Sequence, residues 1–223
     1  MPKVSIVVPI YNMDDAKKFL KRNLDSITTQ TFTDYEIVIS DDSDDDMLKC
    51  WLDNYPIKYY KNKGSKGMAN NSNNGIEKAK GEIIKILYQD DYFYNNNSLA
   101  EIVRHFKKCE WMVSGCVHSL GFGEPINEHF PFYSESENNI GSPSVLTFSR
   151  EVTERFDPEF HWVLDLDLYK RLFREYGLPR ILHQINVVIG IGEHQTTHRL
   201  SDLRKNIEHQ LLREKYDNPS IKT

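Results

Sequence analysis

The feature that most constrains the fold is a repeated alternation in the first half of the chain. Short β-branched runs alternate with helical spacings roughly every 20 to 25 residues. Val4–Ile10 (Val-Ser-Ile-Val-Val-Pro-Ile) opens the series as a buried parallel strand, with Pro9 closing it. Residues 15–29 place Phe19, Leu20, Leu24 and Ile27 at helical spacing. Strands follow at 35–40, 57–60, 82–88 and 111–117. Helices fall at 44–54, 68–80 and 97–108. This order predicts a parallel sheet with right-handed crossovers, a Rossmann-like α/β architecture. In such sheets ligands sit beyond the carboxyl ends of the strands. Three of those ends are polar, Tyr11-Asn12, Asp41-Asp42 and Asp90-Asp91, and they are expected to face one crevice.

The second half is less regular. Residues 119–140 are rich in Gly, Pro, Glu and Asn and read as a long functional loop carrying Phe122, Phe130, Phe132 and Tyr133. A strand is expected at 144–148, a helix at 161–176 ended by Gly177-Leu178-Pro179, a strand at 180–191, and a charged helix at 201–216 capped by Ser201. No internal repeat or clean linker divides the chain. One domain is expected, with 1–117 as one half, 118–200 as the other, and 201–223 as a terminal helix and tail.

Composition narrows the partners. A net charge of −5 over 223 residues does not advertise a nucleic-acid binder, which usually carries a basic stripe, and does not exclude one. Its three cysteines, Cys50, Cys109 and Cys116, suggest neither a disulfide framework nor a zinc site. The opening apolar run is too short for a signal peptide, and no stretch approaches the roughly 18 apolar residues of a membrane span. A cytoplasmic protein is expected, working at a membrane from its surface or through a partner; a homo-oligomer is compatible with this.

Each polar strand end admits two readings. Asp90-Asp91 at a strand end is either an exposed turn or a pair of carboxylates joined by a divalent cation that also grips a diphosphate. Within Asp41-Asp42-Ser43-Asp44-Asp45-Asp46, Ser43 or Asp44 suits a helix cap. Asp41 and Asp42 remain at the strand end, able to accept from a base N–H or a ribose hydroxyl. Tyr11 either stacks on a base or packs over the sheet. Asn70-Asn71-Ser72-Asn73-Asn74-Gly75 lies in a helix for which Asn is a poor former, so it is either a polar cluster or a frayed start. Asp165 and Asp167 open a helix two positions apart and so point different ways. One can face the crevice as a base while the other meets solvent or the helix dipole. His194 and His198 are candidate metal or phosphate contacts.

In order and spacing, these pieces resemble the family 2 glycosyltransferases of the GT-A fold, from Val4 to about His198. The resemblance is carried by Val4-Ser5-Ile6-Val7-Val8-Pro9-Ile10-Tyr11-Asn12, by Ile39-Ser40-Asp41-Asp42-Ser43, and by Asn73-Asn74-Gly75-Ile76 with Ala79-Lys80-Gly81-Glu82. It continues through Gln89-Asp90-Asp91, Gly141-Ser142-Pro143-Ser144, and Asp165-Leu166-Asp167-Leu168 with Arg171. It implies a mixed, mostly parallel sheet flanked by helices, and an inverting transfer of sugar from a nucleoside-diphosphate sugar, a UDP-sugar first, to a glycan or other hydroxyl acceptor. Pro9, Tyr11, Asn12, Asp41, Asp42 and Asn73 would bind the donor nucleotide, and Asp90 its ribose or sugar. Asp91 would hold Mn²⁺ or Mg²⁺ with His194 approaching, and Asp165 would be the general base. The chain departs from the family pattern at three places: Ser72 stands where Arg is usual, Tyr88 where an acid is usual, and Leu164 where Glu is usual. The same architecture serves sugar-1-phosphate nucleotidyltransferases, but no Gly-rich phosphate loop follows the first strand. A non-catalytic binding module is the other alternative.

Overall fold

The computed structural model describes residues 1–107, 109–134, 137–193 and 195–217. In chain order, the first half runs β1 (Val4–Ile10), α1 (Ala16–Thr28), β2 (Tyr35–Asp41), α2 (Met47–Leu52), β3 (Lys58–Lys61), α3 (Met68–Lys78) and β4 (Ile83–Ile86). The second half runs β5 (Tyr92–Phe93), α4 (Ser98–His105), β6 (Trp111–Leu120), β7 (Pro125–His129), a 3₁₀ turn at Pro143–Val145, and β8 (Leu146–Ser149). It continues with α5 (Leu164–Tyr176), β9 (Arg180–Ile191), α6 (Thr196–Arg199) and α7 (Asp202–Asp217). One sheet takes them in the order β3-β2-β1-β4-β8-β6-β9-β5, with β7 paired to β6. The longer ladders, β1 with β2 and β6 with β9, are parallel; β8 lies antiparallel between β4 and β6 and joins the two halves. The expected GT-A-type α/β sheet is present.

Every residue of β1 is buried, as a strand covered on both faces requires. α1 turns Phe19, Leu20, Leu24 and Ile27 onto the sheet. A fully buried Ile or Leu of this kind contributes about 1.5–3 kcal/mol. α3 explains its own odd composition. Asn71 Nδ2 donates to the Ile10 carbonyl (2.9 Å), Ser40 Oγ donates to Asn71 Oδ1 (2.7 Å), and Asn74 Nδ2 donates to Ser40 Oγ (2.7 Å). The asparagines tie α3 across the ends of β1 and β2, and each gives up helix propensity for a buried cross-link. Gly75 lets the helix approach: a Cβ there would lie 2.6 Å from Val7 Cγ1.

Several expected boundaries shift for physical reasons. Pro9 lies within β1, at a position beyond the part that pairs with β4, so its missing N–H breaks no ladder bond there. Neither Ser43 nor Asp44 caps α2. The Ser43 hydroxyl donates to Asp41, Asp44 pairs with Lys66, and Asp45 Oδ1 accepts the Met47 N–H (3.0 Å). The region expected to be a loop from 119 to 140 is partly a hairpin. β6 continues to Leu120, Gly121 turns at φ +56°, and β7 pairs back; its polar composition hid a strand that needs only one partner. The two-residue edge strand β5 and the short α6 carry too little periodicity to predict. α7 begins after Ser201, whose Oγ accepts the Arg204 N–H (3.3 Å), as expected. Among the described residues no helix is long and apolar enough to cross a membrane.

Candidate active site

A crevice of about 810 Å³ opens beyond the carboxyl ends of β1, β2 and β4. Pro9, Tyr11, Asp42, Tyr88, Gln89, Asp90, Asp91 and Asp165 all line it. Strand ends far from the α5 helix in sequence, those of β1 and β2 by more than 120 positions, thus meet that helix around one space. The opposite wall carries Phe160, His161, Trp162, Thr196, Thr197 and His209.

Three residues expected at the donor do not line this crevice. Asp41 is fully buried. Its Oδ1 accepts the Ser43 N–H (2.8 Å), and its Oδ2 takes the Tyr59 hydroxyl (2.5 Å) and the Lys61 ammonium (3.3 Å). It is the buttress of the β2 end. Asn12 turns outward to Asp45 Oδ2 (2.9 Å). Asn73 forms a two-point clasp with Phe156, its Nδ2 donating to the Phe156 carbonyl (2.8 Å) and its Oδ1 accepting the Phe156 N–H (2.9 Å). Asp42 reaches the crevice while it organises the loop before α3, accepting from Asn62 Nδ2 (2.8 Å) and the Gly67 N–H (2.7 Å). His194 lies outside the described residues.

The acid pair divides its work. Asp91 is only 2 % exposed; its Oδ1 accepts the Gly190 N–H (2.8 Å) and the Ser144 hydroxyl bonds its carboxylate. Burial first, and then the charge of Asp90, push its carboxyl well above the usual range. Asp90 is half-buried at the crevice. The backbone of this turn is held from α1 by two adjacent side chains. Arg22 donates to the Asp90 carbonyl (2.8 Å) and to Gly121 O (2.8 Å), while Asn23 Nδ2 donates to the carbonyls of Tyr88 (2.9 Å) and Asp91 (2.8 Å). The guanidinium is itself caged by Tyr92, Phe122 and Phe19, 4.4, 4.9 and 5.6 Å from their centroids. Gly190 completes the fit, since a Cβ there would lie 2.5 Å from the Asp90 carbonyl oxygen.

Below the turn, the fully buried Lys85 donates to the carbonyl of Ser144 and to that of Leu146 (3.4 Å). Burial lowers its ammonium to about 7. Ser144 Oγ in turn accepts the Tyr88 N–H (2.8 Å). Gln89 Oε1 accepts the Tyr11 N–H (2.8 Å), but its buried Nε2 has no partner among the described residues. An unmet buried donor costs about 1–3 kcal/mol, so this one suits a ligand oxygen.

Asp165 sits in the first turn of α5. Its Oδ1 accepts the Leu166 N–H (2.7 Å) and its Oδ2 the Asn138 amide (2.7 Å). Burial nonetheless raises the carboxyl to about 7. Asp167 points the other way, as the helix rotation requires. It is not solvated, however: it is fully buried, accepting from Arg171 Nη2 (2.7 Å), Lys215 (2.8 Å) and the Tyr216 hydroxyl (2.7 Å). Ser72 and Tyr88, two of the positions at which the chain departs from the family pattern, meet: Ser72 Oγ and Tyr88 OH lie 3.4 Å apart. Asn138, Arg22 and Asn23 were not found from sequence, and Ser144 was read only as part of a motif, without a role. Each acts through a loop or a backbone carbonyl, which leaves no periodic signal.

The fold and crevice define an α/β protein of the type that binds a ligand across the strand ends and a helix start. The glycosyl transferase family 2 model matches residues 5–173, and the chain belongs to that family. It is 28 % identical over 218 residues to the GalNAc(5)-diNAcBac-PP-undecaprenol beta-1,3-glucosyltransferase of Campylobacter jejuni, covering 86 % of this chain and 69 % of that protein. In fold it resembles Staphylococcus aureus TarS 1–349 in complex with UDP-GlcNAc, at a TM-score of 0.66 and 20 % identity, covering 89 % of this chain and 61 % of that one. It also resembles the mannosyltransferase PcManGT of Pyrobaculum calidifontis in complex with GDP-Man and Mn²⁺, at a TM-score of 0.62 and 18 % identity, covering 88 % of this chain and 59 % of that one. The chain therefore spans about three fifths of these solved transferases.

Proposed function

We propose that this chain transfers a sugar from a nucleoside-diphosphate sugar to an acceptor hydroxyl with inversion, Asp165 serving as general base. One observation carries the reading: Asp165, its carboxyl raised to about 7, lines the same crevice as Tyr11 and Asp90. A base works best when its pKa lies near the working pH. The donor half is 1–117 and the acceptor half 118–200, with 201–223 as the terminal helix and tail. UDP-sugars are the first donors to test, since TarS is solved with UDP-GlcNAc. The C. jejuni relative, a glucosyltransferase named for an undecaprenol-diphosphate-linked glycan, supports a glycan acceptor.

The crevice fits a divalent cation shared with the donor. Among the described residues no three His, Cys, Asp or Glu side chains gather to cage one. Mg²⁺-like cations, however, are commonly held by one or two carboxylates together with substrate phosphates. Asp90, half-buried at the crevice, is the better placed ligand; Asp91 is only 2 % exposed and supports it from behind. Bound there, Mn²⁺ or Mg²⁺ would offset charge on the diphosphate.

The chain's own residues would then act as follows. Tyr11 and Pro9 flank the base of the nucleotide, and Gln89 Nε2 donates to a donor oxygen. Asp165 removes the proton of the acceptor hydroxyl. That oxygen bonds to the anomeric carbon from the face opposite the diphosphate, and the bond to the diphosphate oxygen breaks with its electron pair leaving on the diphosphate. The test is to incubate the protein with Mn²⁺ and a panel of UDP- and GDP-sugars and follow nucleotide release, with product anomeric configuration read by NMR. Retained configuration, or no nucleotide release with any donor, would overturn this reading.

A further inference from the structure

α7 lies outside residues 5–173 matched by the family model, yet it is joined to the start of the helix that carries Asp165. The joint is one carboxylate. Glu208 is fully buried, and its Oε2 accepts three successive backbone N–H groups, those of His161 (3.0 Å), Trp162 (2.8 Å) and Val163 (3.3 Å). Val163 is the N-cap residue of α5, and its own side chain provides no cap. The three residues form the turn by which the chain enters α5, two positions before Asp165. Arg204 Nε holds the other oxygen (3.1 Å), with His161 Nδ1 3.7 Å away. Charge-assisted bonds to backbone N–H are about twice as strong as neutral ones, and three converge on one buried oxygen.

Neighbouring side chains of α7 grip the same region. His209 packs edge-on against Trp162 at 5.0 Å, and both line the crevice. Lys215 bridges Asp157 (2.6 Å) and Asp167 (2.8 Å).

We propose that Glu208 is a positioning residue for Asp165, fixing the entry of α5 so that the base faces the crevice; this rests on the reading of Asp165 as the base. The donor side is held mainly by other contacts: the Asp90 backbone by Arg22, Asp42 by Asn62 and Gly67, and Tyr11 by Gln89, with Arg199 of α6 reaching the Tyr11 hydroxyl (3.5 Å). Disturbing Glu208 therefore lowers turnover and spares nucleotide affinity.

The test compares wild type, Glu208→Ala and Glu208→Gln in two measurements: the kcat for hydrolysis of UDP-GlcNAc and UDP-glucose with Mn²⁺, and the Kd for UDP with Mn²⁺. Misplacing a catalytic group by an ångström can cost on the order of 100-fold, so Glu208→Ala should lower kcat at least about tenfold with Kd within about twofold. Glu208→Gln, which keeps an acceptor oxygen but no charge, should fall between it and wild type. The inference is overturned if folded variants keep wild-type kcat, or if kcat and UDP affinity fall together. If Glu208→Ala does not fold, Glu208→Gln decides by the same two criteria. A wild-type protein that neither hydrolyses the donors nor binds UDP removes the proposed function, and this inference with it. An active wild type with indifferent variants removes this inference alone.

Discussion

The Asn138 amide donates to Asp165 Oδ2 across 2.7 Å, so the candidate base is oriented by a residue of the loop that also carries the 3₁₀ turn to β8. The bond favours the charged carboxylate, but burial outweighs it and sets the group near 7. kcat should therefore climb with pH through about 7 and level above it. Asp165→Asn should cost on the order of 10²–10⁴ in kcat. The stability sign is opposite to the activity sign. The folded state holds this proton more tightly than the unfolded chain, so the group's contribution weakens as pH rises from about 4 to about 7. Asp165→Asn should melt higher than wild type at pH 8. A lower melting temperature there, or a flat pH–kcat profile, counts against the assignment.

Asp90 and Asp91 should separate cleanly. Asp90→Ala should lose the Mn²⁺-dependent part of the stabilisation by UDP, where the whole stabilisation by ligand at 100 times its Kd is about 2.7 kcal/mol. Asp91→Ala strands the Gly190 N–H and the Ser144 hydroxyl, each worth about 1–3 kcal/mol, and should lower the melting temperature without any ligand. Thermal shift with UDP, with and without Mn²⁺, reads both. The reverse pattern would transfer the metal to Asp91.

Arg22→Met and Gly190→Ala should converge on one parameter from opposite sides of the same turn. The first removes the bond to the Asp90 carbonyl; the second drives a methyl to 2.5 Å from that oxygen. Overpacking of this kind costs about 1–3 kcal/mol. Both should raise the Mn²⁺ concentration needed for half-maximal turnover. Unchanged Mn²⁺ dependence in folded variants would show that the backbone clamp does not govern Asp90.

Lys85 makes stability depend on alkaline pH. Burial lowers its ammonium to about 7, so between that value and about 10.4 the unfolded chain binds more protons and the Lys85 contribution to stability rises with pH. Lys85→Met removes that slope. Urea unfolding of both proteins at pH 7, 8 and 9 should give a wild-type advantage that grows with pH, or a deficit that shrinks. A constant difference would mean that Lys85 stays charged in the fold.

The fold was legible because burial writes itself into residue type. Val4–Ile10 and the residue pattern of α1 need no partner information to be read. The acidic and aromatic residues of the site were legible as types, and Tyr11, Asp42, Asp90, Asp91 and Asp165 do meet. Orientation was not. Asp41 and Asp42 are neighbours, yet one is buried against Tyr59 and Lys61 and the other faces the crevice, because successive residues at a strand end point to opposite sides. Asn73 looked like a donor contact and is a clasp on Phe156. Glu208 is one acid in a charged helix, and only the tertiary packing of α7 on residues 161–163 gives it a role.

The place of β8 in the sheet has a consequence for synthesis. Until residues 146–149 emerge from the ribosome, β4 is the open margin of the strands made before it, offering unpaired backbone groups along Ile83–Ile86. Exposed apolar margins recruit other nascent chains, and natural sheets blunt them with a charged side chain, most often lysine. Lys85 lies in the middle of that margin. The ammonium that burial strains in the finished protein is, in the half-made one, a guard against sticking.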